Sequence, residues 1–184
     1  MVFVRPASGW RLVAAAWVWG LSIMMADKTP AADNLNFVGN LVAQACSIRP
    51  GDEAIELLFD DQSSHYLYIN TRTQSVPFYI HLVGCDTSIA NTVTALFSGV
   101  ENTELPGLLA LATGSRARGI AIGLESAAGQ LLPLNVTSDP FVLADGDNVM
   151  SFQAYVRGEP KAIANHTIRA GRYSAVSTFV LVYP

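Results

Sequence analysis

Residues 171–184 read GRYSAVSTFVLVYP, and this stretch is the most informative one for the fold. Its odd positions carry small or apolar side chains: Gly171, Tyr173, Ala175, Ser177, Phe179, Leu181 and Tyr183. Valine occupies positions 176, 180 and 182, so the alternate face is apolar as well. A strand that is apolar on both faces is either buried on both sides or awaits a partner.

Further strands are expected upstream of this stretch, each rich in β-branched or aromatic residues and bounded by turn-forming residues. They are EAIELLF from Glu53, VPFYIHLVG from Val76, NTVTALFSG from Asn91, RGIAIGLES from Arg118 and VMSFQAYVRG from Val149. The segment TELPGLLALATG from Thr103 contains Pro106 and Gly107, which favour a loop over a helix. With the terminal strand, the pattern predicts an all-β sandwich of six strands and almost no helix.

Length and composition limit the classes of protein that are possible. The 184 residues allow one domain, and 51% hydrophobic against 14% charged residues excludes intrinsic disorder. Lys and Arg total 11 against 15 Asp and Glu, without any basic run. Nucleic acid is therefore not expected as a partner.

The N-terminal region has the pattern of a secretory signal. Arg5 and Arg11 precede LVAAAWVWGLSIMM, an uncharged run that ends at Met25 and is too short for a membrane span. Cleavage after Ala26 is preferred, with Ala32 as the alternative. The signal places the mature chain in an oxidising compartment, where the two cysteines, Cys46 and Cys85, are most simply one disulfide.

Two other states of the cysteines are less well supported. Two buried free thiols are the alternative to a disulfide. Metal binding is weaker still, because His65, His81 and His166 are scattered singly, without a C-x-x-C or H-x-x-x-H pattern.

A second alternating segment, DNLNFVGNLVAQAC, begins at Asp33 and ends at Cys46. Its apolar face is formed by Leu35, Phe37, Gly39, Leu41 and Ala43. The opposite face carries Asn34, Asn36 and Asn40, together with Val38 and Val42. A period of two predicts a strand, and periodicity alone allows it to be the first strand of the sandwich.

Together these segments resemble the pilin subunits of chaperone/usher fimbriae, close to the type 1 group. The resemblance rests on the signal, NLNFVGNLVAQAC with its central glycine, FYIHLVGCD with the second cysteine, SFQAYVRG, and AGRYSAVSTFVLVYP. Gly171 is fourteenth from the end and Tyr183 is penultimate, two positions that the family uses.

The resemblance implies an all-β, incomplete immunoglobulin-like β-sandwich of six strands, with the last strand missing and an N-terminal donor-strand extension. Residues 1–26 would be the signal peptide, 27–45 the extension and 46–184 the pilin domain. The donor side chains would be Leu35, Phe37, Gly39, Leu41 and Ala43. The acceptor groove and the chaperone contact would involve Gly171, Tyr173, Phe179, Leu181 and Tyr183.

The same resemblance implies the partners and the location. A periplasmic chaperone would lend a strand to the groove, and at the outer-membrane usher the extension of a neighbouring pilin would replace it. The subunit would end in an adhesive fimbria on the cell surface. Cofactors, metals and catalytic residues are not expected, since G-x-S-x-G is absent and the adjacent Asp60 and Asp61 would point to opposite faces of a strand.

Two questions remain open at the level of sequence. A mature chain of this length leaves no room for a separate receptor-binding domain, and we expect a minor subunit of the fimbria. A self-contained secreted β-sandwich binding module, which folds with its own first strand, is the alternative from another class of protein.

Overall fold

Two antiparallel sheets form the framework of the molecule in a computed structural model that describes residues 43–61 and 63–184. In chain order the elements are β1 (Ser47–Ile48), α1 (Ser64–Asn70), β2 (Val76–Cys85), β3 (Thr92–Ser98), β4 (Ile120–Ser126), β5 (Phe141–Val142), β6 (Gly146–Gly158), α2 (Pro160–Ala164) and β7 (Thr178–Val182). The larger sheet has the order β1-β2-β6-β4, and the smaller one has the order β5-β3-β7.

This strand order is that of an immunoglobulin-like sandwich without its last strand. An immunoglobulin domain places strands A, B, E and D in one sheet and C, F and G in the other. Here β1, β2, β6 and β4 correspond to A, B, E and D, whereas β3 and β7 correspond to C and F. No strand of the described residues pairs with the far side of β7 in the place of G. The expected incomplete sandwich is confirmed.

The core lies between the two sheets and follows the alternation of the strands. Ile80 and Leu82 of β2 and Val93 of β3 are fully buried. Phe97 of β3 packs edge-on against Phe152 of β6 with ring centroids 5.1 Å apart. Pairs of this geometry add about 0.5–1.5 kcal/mol to the stability gained from area burial.

A smaller apolar cluster covers the outer face of the larger sheet. The loop that begins at Thr103 brings Leu105 and Leu108 onto Ala121 of β4 and Tyr155 of β6, and all four are buried. The prediction of a loop is confirmed, and this loop also supplies core residues.

Three details differ from the expectation. The stretch from Glu53 forms no strand, because its backbone has no hydrogen-bonded neighbour among the described residues. The ladder that pairs the terminal strand with β3 is restricted to Thr178–Val182 instead of beginning at Arg172. The described residues contain seven strands instead of six, since two strands of two residues each, β1 and β5, join the sheets.

Two short helices also escaped the periodicity argument, because each is too short to show a repeat of 3.6 residues. The Ser63 hydroxyl accepts a hydrogen bond from the Tyr66 N–H at 3.2 Å and caps α1. Pro160 occupies the first turn of α2, where its missing N–H costs nothing. Neither helix has the length and apolarity to cross a bilayer, nor does any other helix in the described ranges.

A half-buried ion pair joins the segment that precedes β2 to β4. Both guanidinium nitrogens of Arg72 donate to the Glu125 carboxylate at 3.1 Å, and the Ser75 hydroxyl donates to it as well. The Arg72 guanidinium also lies 3.5 Å from the centroid of the Tyr155 ring. Gly123 makes room for that ring, because a Cβ atom there would overlap it. Burial raises the pKa of Glu125, but the Arg72 and Ser75 hydrogen bonds prevail and hold it below its ordinary value of 4.5.

We predict that Glu125→Gln lowers the free energy of unfolding by about 1–3 kcal/mol, because Arg72 and Ser75 lose a charged acceptor. A carboxyl whose folded pKa is depressed contributes stability above its unfolded pKa, and that stability is lost as the pH falls through the folded pKa. The two proteins should therefore differ at pH 7 and converge as the pH falls below 4.5. Urea unfolding followed by circular dichroism measures both values, and a difference that is independent of pH would contradict the assignment.

Candidate functional site

An open groove of about 1200 Å³ runs beside the last strand. One wall is the chain from Ile168 to Phe179, and the other is the extended segment from Glu53 to Asp61. The floor is apolar and consists of core side chains from both sheets: Phe78, Phe97, Ile120, Ile122, Leu124 and Val156. The groove therefore exposes the hydrophobic core of the sandwich at the place where the last strand would lie.

The first wall is hydrogen-bonded along one edge only. β7 pairs with β3, and further upstream the carbonyls of Ser174 and Arg172 accept hydrogen bonds of 2.8 Å from Ala112 and Arg116. The opposite edge faces the groove, and it has no backbone partner within residues 43–61 and 63–184. An unpaired strand edge of this kind is a template for pairing with another chain.

Gly171 of this wall lies close to the backbone of Arg116 and Ala117 in the same protein. A Cβ atom at this position would lie 2.8 Å from the Cβ of Arg116 and 3.2 Å from the backbone nitrogen of Ala117. Its φ of 154° is also one that side-chain-bearing residues rarely adopt. The absence of a side chain at Gly171 therefore lets this wall pack closely against Arg116 and Ala117 at the start of the groove.

The second wall packs its side chains on the core but lacks backbone hydrogen-bond partners. Leu57 and Phe59 are half-buried and pack against the core, and the Phe59 ring lies 6.4 Å from that of Tyr173 in the facing wall. The backbone of residues 53–61 makes no backbone hydrogen bond to any described residue. Both walls thus present unpaired N–H and C=O groups to the same groove.

Two tyrosines of the terminal segment have raised pKa values. Burial raises the pKa of Tyr173, and the nearby negative charge of Asp61 raises it further. Burial raises the pKa of Tyr183. The part of the chain that the structure describes contains no group of three or more His, Cys, Asp or Glu residues that could hold a metal ion.

The structure locates only some of the residues singled out from the sequence. Gly171, Tyr173 and Phe179 line the groove, whereas Leu181 and Tyr183 continue the same face and pack against the core. The expected donor residues Leu35, Phe37, Gly39 and Leu41 lie outside the described residues, and Ala43 is exposed. The second wall was missed, because its alternating Leu57 and Phe59 are typical of an ordinary internal strand.

Cys46 and Cys85 form a disulfide, as expected for an exported chain. Cys46 immediately precedes β1, and Cys85 is the last residue of β2. The backbone supports the same junction, since the Ala45 carbonyl accepts a hydrogen bond of 2.8 Å from the Asp86 N–H. The bond fixes the point at which the chain enters the sandwich.

We predict that the unreduced protein shows no reactive thiol after denaturation, whereas the reduced protein shows both. Closing a loop over a separation of 39 residues stabilises the fold by about 4 kcal/mol in the chain-entropy model. The double substitution of Cys46 and Cys85 by alanine should lower the free energy of unfolding by about that amount or prevent folding. Two thiols that react without reductant would refute the bond.

An immunoglobulin-like sandwich with two unpaired edges around an apolar groove defines a class of proteins: incomplete domains that complete their fold with a strand from another chain. Comparison with known proteins agrees with this class. Residues 35–184 match the family described as Fimbrial protein. The chain belongs to this family, whose members are structural subunits of fimbriae assembled by the chaperone/usher route.

Individual relatives agree over nearly the whole chain. The Major MR/P fimbria protein of Proteus mirabilis is 32% identical over 179 residues, which cover 94% of this chain and 99% of the relative. The fimbrial adapter PapK of Escherichia coli is 30% identical over 160 residues, 83% of this chain and 88% of the relative. The crystal structure of the P pilus rod subunit PapA superposes with a TM-score of 0.66 at 25% identity, over 77% of this chain and all of the other. A major subunit and an adapter are thus almost equally similar, and the expected minor role stays a prediction.

Proposed function

We propose that this pilus subunit polymerises by accepting a donor strand in the groove between residues 53–61 and 168–179, and by donating residues 33–43 to a neighbouring subunit. The observation that carries the proposal is the pair of unpaired backbone edges flanking one apolar groove. A strand inserted there gains main-chain hydrogen bonds from the walls and buries its alternate side chains on the floor.

The segment from Asp33 to Ala43 has the properties that such a groove selects. Every second side chain is apolar or glycine, which matches an apolar floor. Asp33, at the N-terminal end of the segment, is its only charged residue, and residues 34–43 carry none, so burial of the apolar face from Leu35 to Ala43 leaves no charge without water. The family match begins at residue 35, inside this segment.

Export and assembly follow from the same open groove. An exposed apolar groove with free strand edges would aggregate in an unassembled subunit. We infer that a periplasmic chaperone occupies the groove first, along Gly171, Tyr173, Phe179, Leu181 and Tyr183. An outer-membrane usher then exchanges the chaperone for the next subunit, and residues 1–26 direct the chain into that route.

The domain boundaries follow the same division of roles. Residues 27–45 form the extension that leaves the subunit, and residues 46–184 form the domain that accepts a strand. Cys46 marks the boundary because its bond to Cys85 anchors the chain to β2.

Removal of residues 33–43 separates donation from folding. We predict that the shortened chain still folds and forms a chaperone complex, since its groove is intact, but no longer joins a preceding subunit. Co-purification with the chaperone and analysis of fibres from cells that express the full set of assembly proteins measure the two steps. Loss of the soluble chaperone complex would instead favour a self-contained module in which this segment is an internal strand.

A separate prediction concerns Gly39, which lies on the apolar face between Phe37 and Leu41. Glycine in a strand interior costs about 0.5–1 kcal/mol relative to alanine, so a steric reason for it is expected where donor and groove backbones approach closely. Gly39→Leu in a peptide of residues 33–43 should sharply slow displacement of the chaperone from an acceptor subunit.

Val38→Leu is the matched control, because it places the same side chain on the opposite face of the peptide. It should exchange at the rate of the native peptide. Equal rates for all three peptides would show that the groove imposes no steric limit at Gly39.

A further inference from the structure

Four arginines lie together at the end of the domain where the groove begins. Two chain segments run antiparallel there: the Arg118 and Arg169 N–H groups donate to each other's carbonyls at 3.1 and 3.0 Å, and the Arg116 N–H donates to the Arg172 carbonyl at 2.8 Å. All four side chains are exposed, whereas Ala117 between the first two is buried. We refer to Arg116, Arg118, Arg169 and Arg172 as the arginine end.

The positive charge of the arginine end is not balanced within the domain. None of the ion pairs among the described residues involves one of these four arginines. Arg118 donates instead to the backbone carbonyl of Ser115 at 2.7 Å. Arg118 and Arg169 are directly opposite each other, and like charges at opposed positions of paired strands are destabilising. An acidic partner at this end would remove that cost.

The other end of the sandwich is acidic and lies where the chain enters the domain. The Asp86 N–H donates to the Ala45 carbonyl at 2.8 Å. Asp145 and Asp147 flank the residue of β6 that pairs with Cys85. The three carboxyl-bearing residues are exposed. We refer to Asp86, Asp145 and Asp147 as the acidic end.

The direction of a donor strand in the groove would bring these two ends together. β7 begins beyond Arg172 and ends beside the start of β3, which also pairs with β5 just before Asp145. β7 therefore runs from the arginine end to the acidic end. The strands of an immunoglobulin sheet are antiparallel, so a donor strand beside β7 would run the opposite way and end with Ala43 at the arginine end.

The donating subunit would then present its own acidic end to the arginine end of the acceptor. The chain from Ala43 to Cys46, where the donating domain begins, spans at most about 11 Å. This distance is comparable with the Debye length of about 8 Å at physiological ionic strength, so the charges of the two subunits are not fully screened from each other.

We propose that the arginine end attracts the acidic end of an incoming copy of this chain and thereby accelerates strand exchange. The inference rests on the proposed function and adds a step that selects the partner by charge before its strand is inserted. Complementary charges chiefly raise association rates, by a factor of about 10–10³ in the most favourable cases, and the effect falls with ionic strength.

Arg169→Glu in the acceptor tests the proposal, with Arg157→Glu as the matched control. Arg157 is also exposed and belongs to no ion pair of the described residues, but it lies on β6 outside the arginine end. With acceptor and donor both supplied as complete subunits in chaperone complexes, Arg169→Glu should slow exchange by a factor of about 3–10 at low salt. Arg157→Glu should exchange at the native rate.

Folding and attraction are separated by stability and by a second donor. The carboxylate introduced by Arg169→Glu faces Arg118, so the variant should unfold at a temperature no lower than the native subunit. The peptide of residues 33–43 has no acidic end, so it should enter native and Arg169→Glu acceptors at one rate with little dependence on salt. Exchange with the complete donor should slow as salt is added.

A charge swap identifies the acidic end as the partner. Asp147→Lys in the donor should slow exchange with the native acceptor and restore the rate with the Arg169→Glu acceptor. Equal slowing by Arg169→Glu and Arg157→Glu, equal slowing with the peptide, or no recovery in the swap would overturn the role of the arginine end alone. Failure of both the peptide and the complete donor to enter the native acceptor would overturn the proposed function as well.

Discussion

Backbone N–H and C=O groups that leave water must find hydrogen-bond partners, and along the last strand of this domain only one edge has them. The chain from Arg172 to Val182 is paired to Ala112, Arg116 and β3 on one side, and on the other side it borders the groove. The apolar floor adds a second unmet requirement at the same place. A single added strand with alternating apolar side chains would satisfy both requirements, which is the basis of the proposed strand acceptance.

The rest of the structure keeps the groove open in a defined shape. Gly171 lets one wall approach Arg116, and the disulfide anchors the chain before the other wall begins. The Arg72–Glu125 pair and the aromatic contacts of Phe97 and Phe152 stiffen the two sheets behind the floor. A groove that is held open in this way needs little rearrangement when it binds, which lowers the entropic cost of binding.

Strands with several paired residues could be predicted from the sequence, and strands that depend on distant partners could not. The β2 and β6 segments carry strong β-branched and aromatic patterns, so both strands follow from local composition, although β6 begins at Gly146, three residues before the predicted start at Val149. The Glu53 segment has the same local pattern but lacks a backbone partner, which composition cannot reveal. The two-residue strand at Phe141 exists only because β3 lies beside it. Likewise, the apolar terminal strand indicated a missing partner, but the second wall depends on the long-range contact of Phe59 with Tyr173, which the sequence pattern does not show.

The location of the disulfide has a mechanical consequence. In a fibre joined through donor strands, tension on a subunit enters through the extension and reaches the domain at Cys46. The covalent bond passes this load to Cys85, at the end of a strand that is hydrogen-bonded on both sides by β1 and β6. The pull then acts on a central strand as a whole and does not peel the two-residue β1 away from its neighbour one hydrogen bond at a time. The disulfide thereby protects β1, which is paired over only two residues, because it directs the load onto β2 as shear.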